Sequence, residues 1–158
     1  MNNKYQLEPI TENDYEFIYQ VKKNVYKKYV EANWGTWDEE MQRHFFEKFI
    51  EIYKNNIYTI NLNNQKIGFY QGETLENGDY EVGNICIIPE YQGKGIGFQI
   101  LIDVLEENQD KNIHIQHFKQ NTIGRLYEKL GFIPNGETKT HYQMLKQAKK
   151  TKRKEGKL

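Results

Sequence analysis

The sequence predicts an α+β fold in which about seven strands form one mixed, mostly antiparallel sheet flanked by four helices. Hydrophobic periodicity alternates along the chain between strand and helix spacing, in the order β-α-α-β-β-β-α-β-α-β-β. In the middle of the chain, an apolar strand enters a helix through a glycine-rich loop, a strand–loop–helix crossover. Asn-Asn and Asn-Gly turns join the strands before it, which predicts an antiparallel meander.

The first third of the chain is predicted to form one strand and two amphipathic helices. Residues 5–10 form the strand, and Thr11 with Asp14 resembles a capping box that opens a helix running to about residue 30. Gly35 interrupts the helical pattern, and Thr36 is expected to cap the second helix. The apolar stripe of this second helix is expected to contain Met41, Phe45, Phe49 and Ile52.

The remaining elements follow from alternation, turns and helical spacing. Residues 58–69 form a hairpin around the Asn63-Asn64 turn, and the Asn77-Gly78 turn leads into a strand at residues 81–88. A helix then begins near residue 96, a strand covers residues 113–118, and a further helix starts near residue 122 and ends at Gly131. The last two strands, residues 132–134 and 139–145, are expected to be joined by an Asn135-Gly136 turn.

Residues 81–98 organise the predicted site. Pro89 ends the apolar strand because proline has no N–H for a ladder, and the loop behind it carries glycine at every second position, at Gly93, Gly95 and Gly97. A helix follows immediately, so its unpaired amides and positive dipole end face the loop. This arrangement predicts an anion-binding site, and the anion expected there is a phosphate.

Two common phosphate-binding patterns do not match this loop. The dinucleotide pattern G-x-G-x-x-G would start at Gly93 and require glycine at the position of Phe98. The nucleoside-triphosphate loop requires serine or threonine after Gly-Lys, whereas Gly95 follows Lys94. The spacing therefore favours neither class of ligand.

The spacing Gln92-x-x-Gly95-x-Gly97 behind this strand resembles the pyrophosphate-binding motif of the GNAT N-acetyltransferase superfamily. A second stretch, Leu126-Tyr127 followed after three residues by Gly131-Phe132, resembles the L-Y-x-x-x-G-F motif of the same family. The predicted order of elements also matches that family. The resemblance implies a three-layer GNAT-like fold in which strands four and five splay apart.

Acetyl-CoA is the cosubstrate that this resemblance implies, lying between the splayed strands. Strand four would pair its backbone with the two amides of the pantetheine arm, as one strand recognises another. A backbone N–H of that strand would stabilise the developing oxyanion of the thioester. The loop amides would hold the pyrophosphate, with a lysine adding charge. The cofactor-binding residues implied are Ile85, Cys86, Ile87, Ile88, Gln92, Gly93, Lys94, Gly95, Ile96, Gly97 and Asn121.

Two catalytic residues are implied by position in the family. Glu81, at the start of strand four, is the candidate general base, because an acceptor ammonium must lose its proton before it can attack. Its alternative reading is a solvated carboxylate after a turn. Tyr127 is the candidate general acid toward the departing thiolate, and its alternative reading is a core tyrosine on the apolar stripe of its helix.

Composition predicts one domain at residues 1–145 and a basic, flexible tail at residues 146–158. The tail carries seven basic residues and one acid, so the body before it has a net charge of −6. A lone Cys86 excludes an intrachain disulfide, and no apolar run has the length of a signal peptide or membrane span. We therefore expect a cytoplasmic protein without a membrane partner.

No metal site is expected, because the four histidines show no ligand spacing such as H-x-x-x-H. His117 stands where the family usually has an apolar residue, and we expect it to line the cleft or pair with a neighbour. Trp34 and Trp37 flank the junction of the first two helices, as a hydrophobic staple or as a wall of the acceptor pocket.

The leading hypothesis is an N-acetyltransferase that transfers acetyl directly from acetyl-CoA to a primary amine of a small molecule or peptide. The alternative is a non-catalytic acyl-CoA-binding or interaction module with a basic tail. Nucleic acid is not expected as a partner, since no aromatic residue is interleaved with the basic ones. A homodimer is left open.

Overall fold

The computed structural model describes residues 4–149. The strands are β1 Gln6–Pro9, β2 Ile57–Leu62, β3 Gln65–Thr74, β4 Tyr80–Ile87, β5 Ile113–Phe118, β6 Ile133–Glu137 and β7 His141–Lys146. The helices are α1 Tyr15–Trp34, α2 Glu39–Tyr53, α3 Ile96–Glu107 and α4 Gly124–Lys129.

Seven strands form one mixed sheet in the order β1-β2-β3-β4-β5-β7-β6. β1 pairs antiparallel with β2, and β2 with β3. β5 and β6 both pair antiparallel with β7. β4 pairs in parallel with β5 over two residue pairs, Tyr80 with Ile113 and Glu81 with His114. The predicted α+β class, with its strand and helix counts, is confirmed.

The chain divides into two compact units, and the boundary passes through β4. The first unit contains Met1–Glu73 and Gly83–Leu101, and the second contains Thr74–Val82 and Ile102–Leu158. The first unit therefore holds β1, β2, all of β3 but its last residue, α1, α2, most of β4, the glycine loop and the first half of α3. The second holds the start of β4 together with β5 to β7 and α4.

A core cluster of the first unit packs α1 and α2 against the strands. Tyr19 meets Phe46 edge to face at 5.4 Å between ring centres, and Trp37 lies 6.4 Å from Tyr19. Such aromatic contacts add to the free energy gained from apolar burial. The buried members of the cluster are Ile18, Tyr19, Val21, Phe46, Ile50, Ile57, Phe69 and Cys86.

The predicted start and apolar stripe of α2 are wrong in detail. Asp38, not Thr36, caps the helix, and its carboxylate accepts a hydrogen bond from the Met41 N–H at 3.1 Å. The buried face carries Phe46 and Ile50, whereas three of the four predicted stripe residues are exposed, namely Met41, Phe45 and Ile52. The sequence contains two overlapping apolar stripes that share Phe49, and packing against the core selected the second.

The turns differ in how well the sequence predicted them. Asn63 and Asn64 form the predicted turn with φ of 53° and 65°, and Gly78 has φ of 93° in the Asn77-Gly78 turn. The predicted turn at Asn135-Gly136 is wrong, because both residues lie within β6. The β6–β7 register shifts between Pro134 and Gly136, so the extra residue forms a bulge there.

The predicted tail begins inside an ordered element. β7 extends through Lys146. After it, the Ala148 N–H donates to Asn112 Oδ1 at 2.8 Å and the Lys149 N–H to the Gln109 carbonyl at 2.7 Å. The rest of the predicted tail, residues 150–158, lies outside the described residues.

Within residues 4–149, none of the helices combines the length and the apolar character that crossing a bilayer requires. The same part of the chain brings no three His, Cys, Asp or Glu residues together as a group that could hold a metal ion.

Gly68→Ala is expected to destabilise the fold. A Cβ at Gly68 would lie 2.0 Å from the Cys86 carbonyl oxygen, so the backbones of β3 and β4 would have to separate. We expect the free energy of unfolding, measured by urea titration, to fall by at least about 2 kcal/mol. The matched control is Gly97→Ala, whose Cβ would meet only ordinary contacts at 3.7 and 3.9 Å. Equal stability of the two variants would contradict this account of the β3–β4 approach.

Candidate functional site

The glycine loop leaves β4 through a turn that one side chain holds closed. β4 ends at Ile87, and the Ile88 N–H still donates to the Ile67 carbonyl at 2.8 Å. A single 3-10 turn, Pro89–Tyr91, reverses the chain. Gln92 Nε2 then donates back to the Ile87 carbonyl at 2.7 Å. This hydrogen bond joins the end of the strand to the start of the loop.

Six consecutive backbone amides, those of residues 93–98, have no acceptor among residues 4–149. The amides on either side are bonded, because the Gln92 N–H donates to the Pro89 carbonyl and the Gln99 N–H to the Gly95 carbonyl. Gly93 and Gly95 have φ of 76° and 84°, and a Cβ at either position would meet nothing within 4 Å. The loop therefore presents a run of backbone donors with open space at Gly93 and Gly95.

The start of α3 lies against the strand that precedes the loop. A Cβ at Gly97 would lie 3.7 Å from Ile85 Cγ2 and 3.9 Å from Ile87 Cγ1. The N-terminal end of α3 carries the positive end of the helix dipole, which adds to the attraction of the unpaired amides for an anion. Lys94 is exposed within the loop. These groups fit a phosphate or pyrophosphate, which offers acceptor oxygens and negative charge.

Glu81 lies in the second unit, beside a histidine that the sequence did not single out. It is half-buried and shares a register position with His114 of β5. His114 Nε2 lies 2.8 Å from Asp79 Oδ2. The Asp79–His114 pair was missed, because its members are 35 residues apart and only the parallel register brings them together.

Tyr127 is buried in α4, with 9% of its surface exposed. Its ring lies 5.8 Å from the ring of Phe132 and 5.9 Å from that of His117. His117 Nδ1 lies 2.8 Å from the Phe118 carbonyl oxygen, so the prediction that it pairs with a neighbour is confirmed. A Cβ at Gly124 would lie 2.8 Å from His117 Nε2, so the absence of a side chain there makes room for the imidazole.

Asn121 lies at the entrance to α4. Its Oδ1 accepts a hydrogen bond from the Ile123 N–H at 3.0 Å, and its own N–H donates to the Phe118 carbonyl at 2.9 Å. The side chain therefore orders the turn before α4.

A polar cluster of the first unit was also missed by the sequence analysis. Tyr26 donates through its hydroxyl to Asn84 Oδ1 at 2.6 Å, and Asn84 Nδ2 donates to Gln71 Oε1 at 2.9 Å. Lys22 Nζ lies 4.7 Å from the centre of the Tyr26 ring. A lysine on an otherwise apolar helix face was the one signal that the sequence offered.

Several comparisons with known proteins bear on this site. A family model described as an acetyltransferase (GNAT) domain matches residues 53–134. Over 133 residues the chain is 28% identical to the ribosomal protein bS18-alanine N-acetyltransferase of Haemophilus influenzae, covering 82% of each protein.

Two solved structures share the fold. The PaiA N-acetyltransferase of Thermoplasma acidophilum, in complex with coenzyme A, matches with a TM-score of 0.66 and 19% identity over 91% of this chain and 99% of its own. The ribosomal-protein-S18-alanine N-acetyltransferase of Escherichia coli matches with a TM-score of 0.64 and 17% identity over 93% and 96%.

Cys86 is expected to be unreactive in the folded protein. It is fully buried, and burial raises the pKa of its thiol to about 11. At pH 8 about one molecule in a thousand would carry the reactive thiolate. A colorimetric disulfide reagent should therefore modify the folded protein far more slowly than the protein in guanidinium chloride. Equal rates in the two conditions would contradict the buried environment.

Proposed function

The chain belongs to the GNAT acetyltransferase family, and on that premise we propose how its residues bind acetyl-CoA and acetylate a primary amine of a small molecule or peptide. Its activity is acetyl-CoA-dependent N-acetyl transfer. The observation that carries the residue assignment is the run of six unpaired amides at residues 93–98. Unpaired amides at a helix start are a site for an anion, and coenzyme A presents a pyrophosphate.

The loop would hold the cosubstrate, which when bound supplies an activated acetyl thioester. Amides of residues 93–97 would donate to the pyrophosphate, since the Gln92 N–H is already bonded to the Pro89 carbonyl, and Lys94 would add a positive charge. Gln92 keeps the loop closed on β4 through its bond to the Ile87 carbonyl. The backbone of residues 85–88 would pair with the pantetheine arm, and Asn121 would contact the cosubstrate from the start of α4. An N–H of β4 is the proposed oxyanion donor.

Glu81 is the proposed general base. A primary ammonium has a pKa of about 10 and does not attack at neutral pH until it loses a proton. Glu81 is half-buried at a strand start, where its carboxylate can accept that proton directly or through water. The neighbouring Asp79–His114 pair offers a route by which the proton can leave.

Tyr127 is the proposed general acid. Its ring is fixed between Phe132 and His117, so few other orientations are open to the phenol. When the bond between the acetyl carbon and sulfur breaks, proton delivery from the phenol would let the coenzyme leave as a neutral thiol. The burial of Tyr127 is compatible with a role as general acid, because packing around its ring would hold the phenol in the orientation that proton transfer requires.

Among primary amines, the α-amino group of a peptide is the first acceptor to test. The Haemophilus influenzae relative is named for the alanine of ribosomal protein bS18. We extend to this chain only the class of acceptor, an α-amine at a peptide N-terminus. Small amines remain the other acceptors within the proposal. Since acetyl-CoA and nascent peptides are both cytoplasmic, we propose the cytoplasm as the site of action.

Gln92→Ala is expected to weaken acetyl-CoA binding by about three- to tenfold, because the loop loses the hydrogen bond that holds it on β4. Calorimetric titration with acetyl-CoA measures the change, with NAD and ATP as comparison ligands. The matched control is Gln20→Ala, an exposed glutamine whose side chain bonds to Glu16 on α1. Unchanged affinity for acetyl-CoA in Gln92→Ala, or equal binding of ATP by the wild-type protein, would contradict the proposal that this loop binds the pyrophosphate of acetyl-CoA.

Tyr127→Phe is expected to lower kcat about 100-fold, the usual scale of one general acid, while acetyl-CoA affinity is kept. The control is Tyr58→Phe, which removes a hydroxyl from the tyrosine stacked on Tyr70 in the sheet. Urea unfolding of both variants separates loss of catalysis from loss of fold. Unchanged turnover in Tyr127→Phe would show that Tyr127 is not the general acid. A wild-type protein that binds acetyl-CoA but acetylates no amine would favour the alternative of a non-catalytic acyl-CoA-binding module.

A further inference from the structure

We propose that the polar cluster of Lys22, Tyr26, Gln71 and Asn84 recognises a carboxylate on the acceptor, with the Lys22 ammonium as its ionic partner. The inference rests on the proposed function, because it names the class of amine that the enzyme takes. All four side chains belong to the first unit. They come from α1, β3 and β4.

A chain of hydrogen bonds fixes the cluster. The Tyr26 hydroxyl donates to Asn84 Oδ1 at 2.6 Å, and Asn84 Nδ2 donates to Gln71 Oε1 at 2.9 Å. The Gln71 amide lies over Gly83, where a Cβ would come within 1.9 Å of Oε1. Gln71 is only 3% exposed, whereas Gly83 is exposed. The cluster is thus a preorganised polar network that begins beside an accessible stretch of β4.

Two donors of this cluster have no acceptor within the described part of the chain. Gln71 Nε2 makes no hydrogen bond, and Lys22 Nζ makes neither a hydrogen bond nor an ion pair. A carboxylate has only acceptor atoms, so it complements a pair of donors of which one is cationic. A second ammonium, which has only donors, would not complement them, and a neutral hydroxyl would leave the positive charge unmatched.

The surroundings of Lys22 leave its charge uncompensated. Its Nζ lies 4.7 Å from the ring centre of Tyr26 and 4.8 Å from that of Phe49, and the side chain is half-buried. Burial lowers the pKa of Lys22 because it removes the ammonium from water. Within residues 4–149 no carboxylate pairs with Lys22, and burial raises the pKa of the nearby Cys86 thiol to about 11, which keeps the thiol neutral. A bound carboxylate would supply the missing charge and stabilise the ammonium.

Three basic side chains on α1 and α2 differ from Lys22 in this respect. Lys23 pairs with Glu39 at 2.8 Å, Lys27 with Glu31 at 3.2 Å and Arg43 with Glu16 at 2.6 Å. Carboxylates are therefore plentiful on these helices, yet none reaches Lys22. An unpaired cation in a half-buried network is the arrangement expected where a ligand provides the anion.

The cluster adjoins the proposed transfer site along the chain. Asn84 immediately precedes Ile85, the first residue whose backbone is assigned to the pantetheine arm. An acceptor amine must reach that part of β4, so a carboxylate bound by Lys22 would belong to the same molecule. The acceptors that fit are free amino acids and peptides with an acidic side chain near the N-terminus.

The test compares matched amines that differ in one carboxylate, using the full-length protein and coenzyme release as the readout. One arm pairs L-tyrosine with tyramine and L-lysine with cadaverine. The other arm pairs the peptide amide Ala-Glu-Ala-Ala with Ala-Gln-Ala-Ala. The bound carboxylate comes either from a free amino acid or from an acidic side chain of a peptide. In the arm that contains the correct one, we expect kcat/KM to favour the carboxylate-bearing member at least about tenfold.

Lys22→Met should reduce this preference at least about tenfold, through KM, whereas Lys22→Arg should retain it because the positive charge remains. Lys48→Met, at an exposed lysine on α2, is the matched control and should keep the wild-type ratio. Urea unfolding of Lys22→Met verifies that the variant is folded.

Three results would overturn the inference. They are the absence of a preference in both arms, a preference that survives in folded Lys22→Met, and a preference that Lys48→Met abolishes equally. A protein that binds acetyl-CoA but acetylates no member of either arm would overturn the carboxylate inference and leave cosubstrate binding in place. Failure to bind acetyl-CoA would instead overturn the proposed function itself.

Discussion

The hydrogen bond from Gln92 Nε2 to the Ile87 carbonyl is the constraint on which the candidate site depends. Pro89 stops the strand, but proline alone does not determine where the chain goes next. Gln92 joins the loop to the end of β4, so the glycines that follow begin from a defined position. Six amides then remain unpaired before α3 takes up its own hydrogen bonding at Gln99. The proposed anion site would thus be made from backbone, and side chains would serve mainly to hold that backbone in place.

The two parts of the proposed chemistry rest on different kinds of structure. The proposed cosubstrate recognition would use mainly main-chain donors, which any sequence with the right turn and glycines can present. The proposed acceptor recognition would use side chains, among them Lys22 and Asn84, whose partners come from separate elements of the first unit. This division allows one fold to retain its cosubstrate while its acceptor changes with a few side chains. Lys22 is an example, because the proposed acceptor would supply the negative charge that Lys22 lacks.

Where the sequence predicted structure wrongly, two local patterns competed. In α2, the stripe through Phe45 and the stripe through Phe46 are both apolar, and contact with Tyr19 buried the second. At Asn135-Gly136, a tight turn and a bulge use the same residue types, and pairing with β7 selected the bulge. In each case the deciding contact joins residues far apart in the chain, so no window of sequence contains the information.

The sequence by itself determined the element order, the end of β4 at Pro89 and the position of the glycine loop, because proline, glycine and hydrophobic spacing act over a few neighbouring residues. Glu81 and Tyr127 became candidates through the family resemblance of the motifs around them. Only the tertiary structure brought Asp79 to His114 and, among residues 4–149, left Lys22 without a carboxylate partner. Strand register and helix packing act across dozens of residues, and they decide which polar groups meet and which remain available to a ligand.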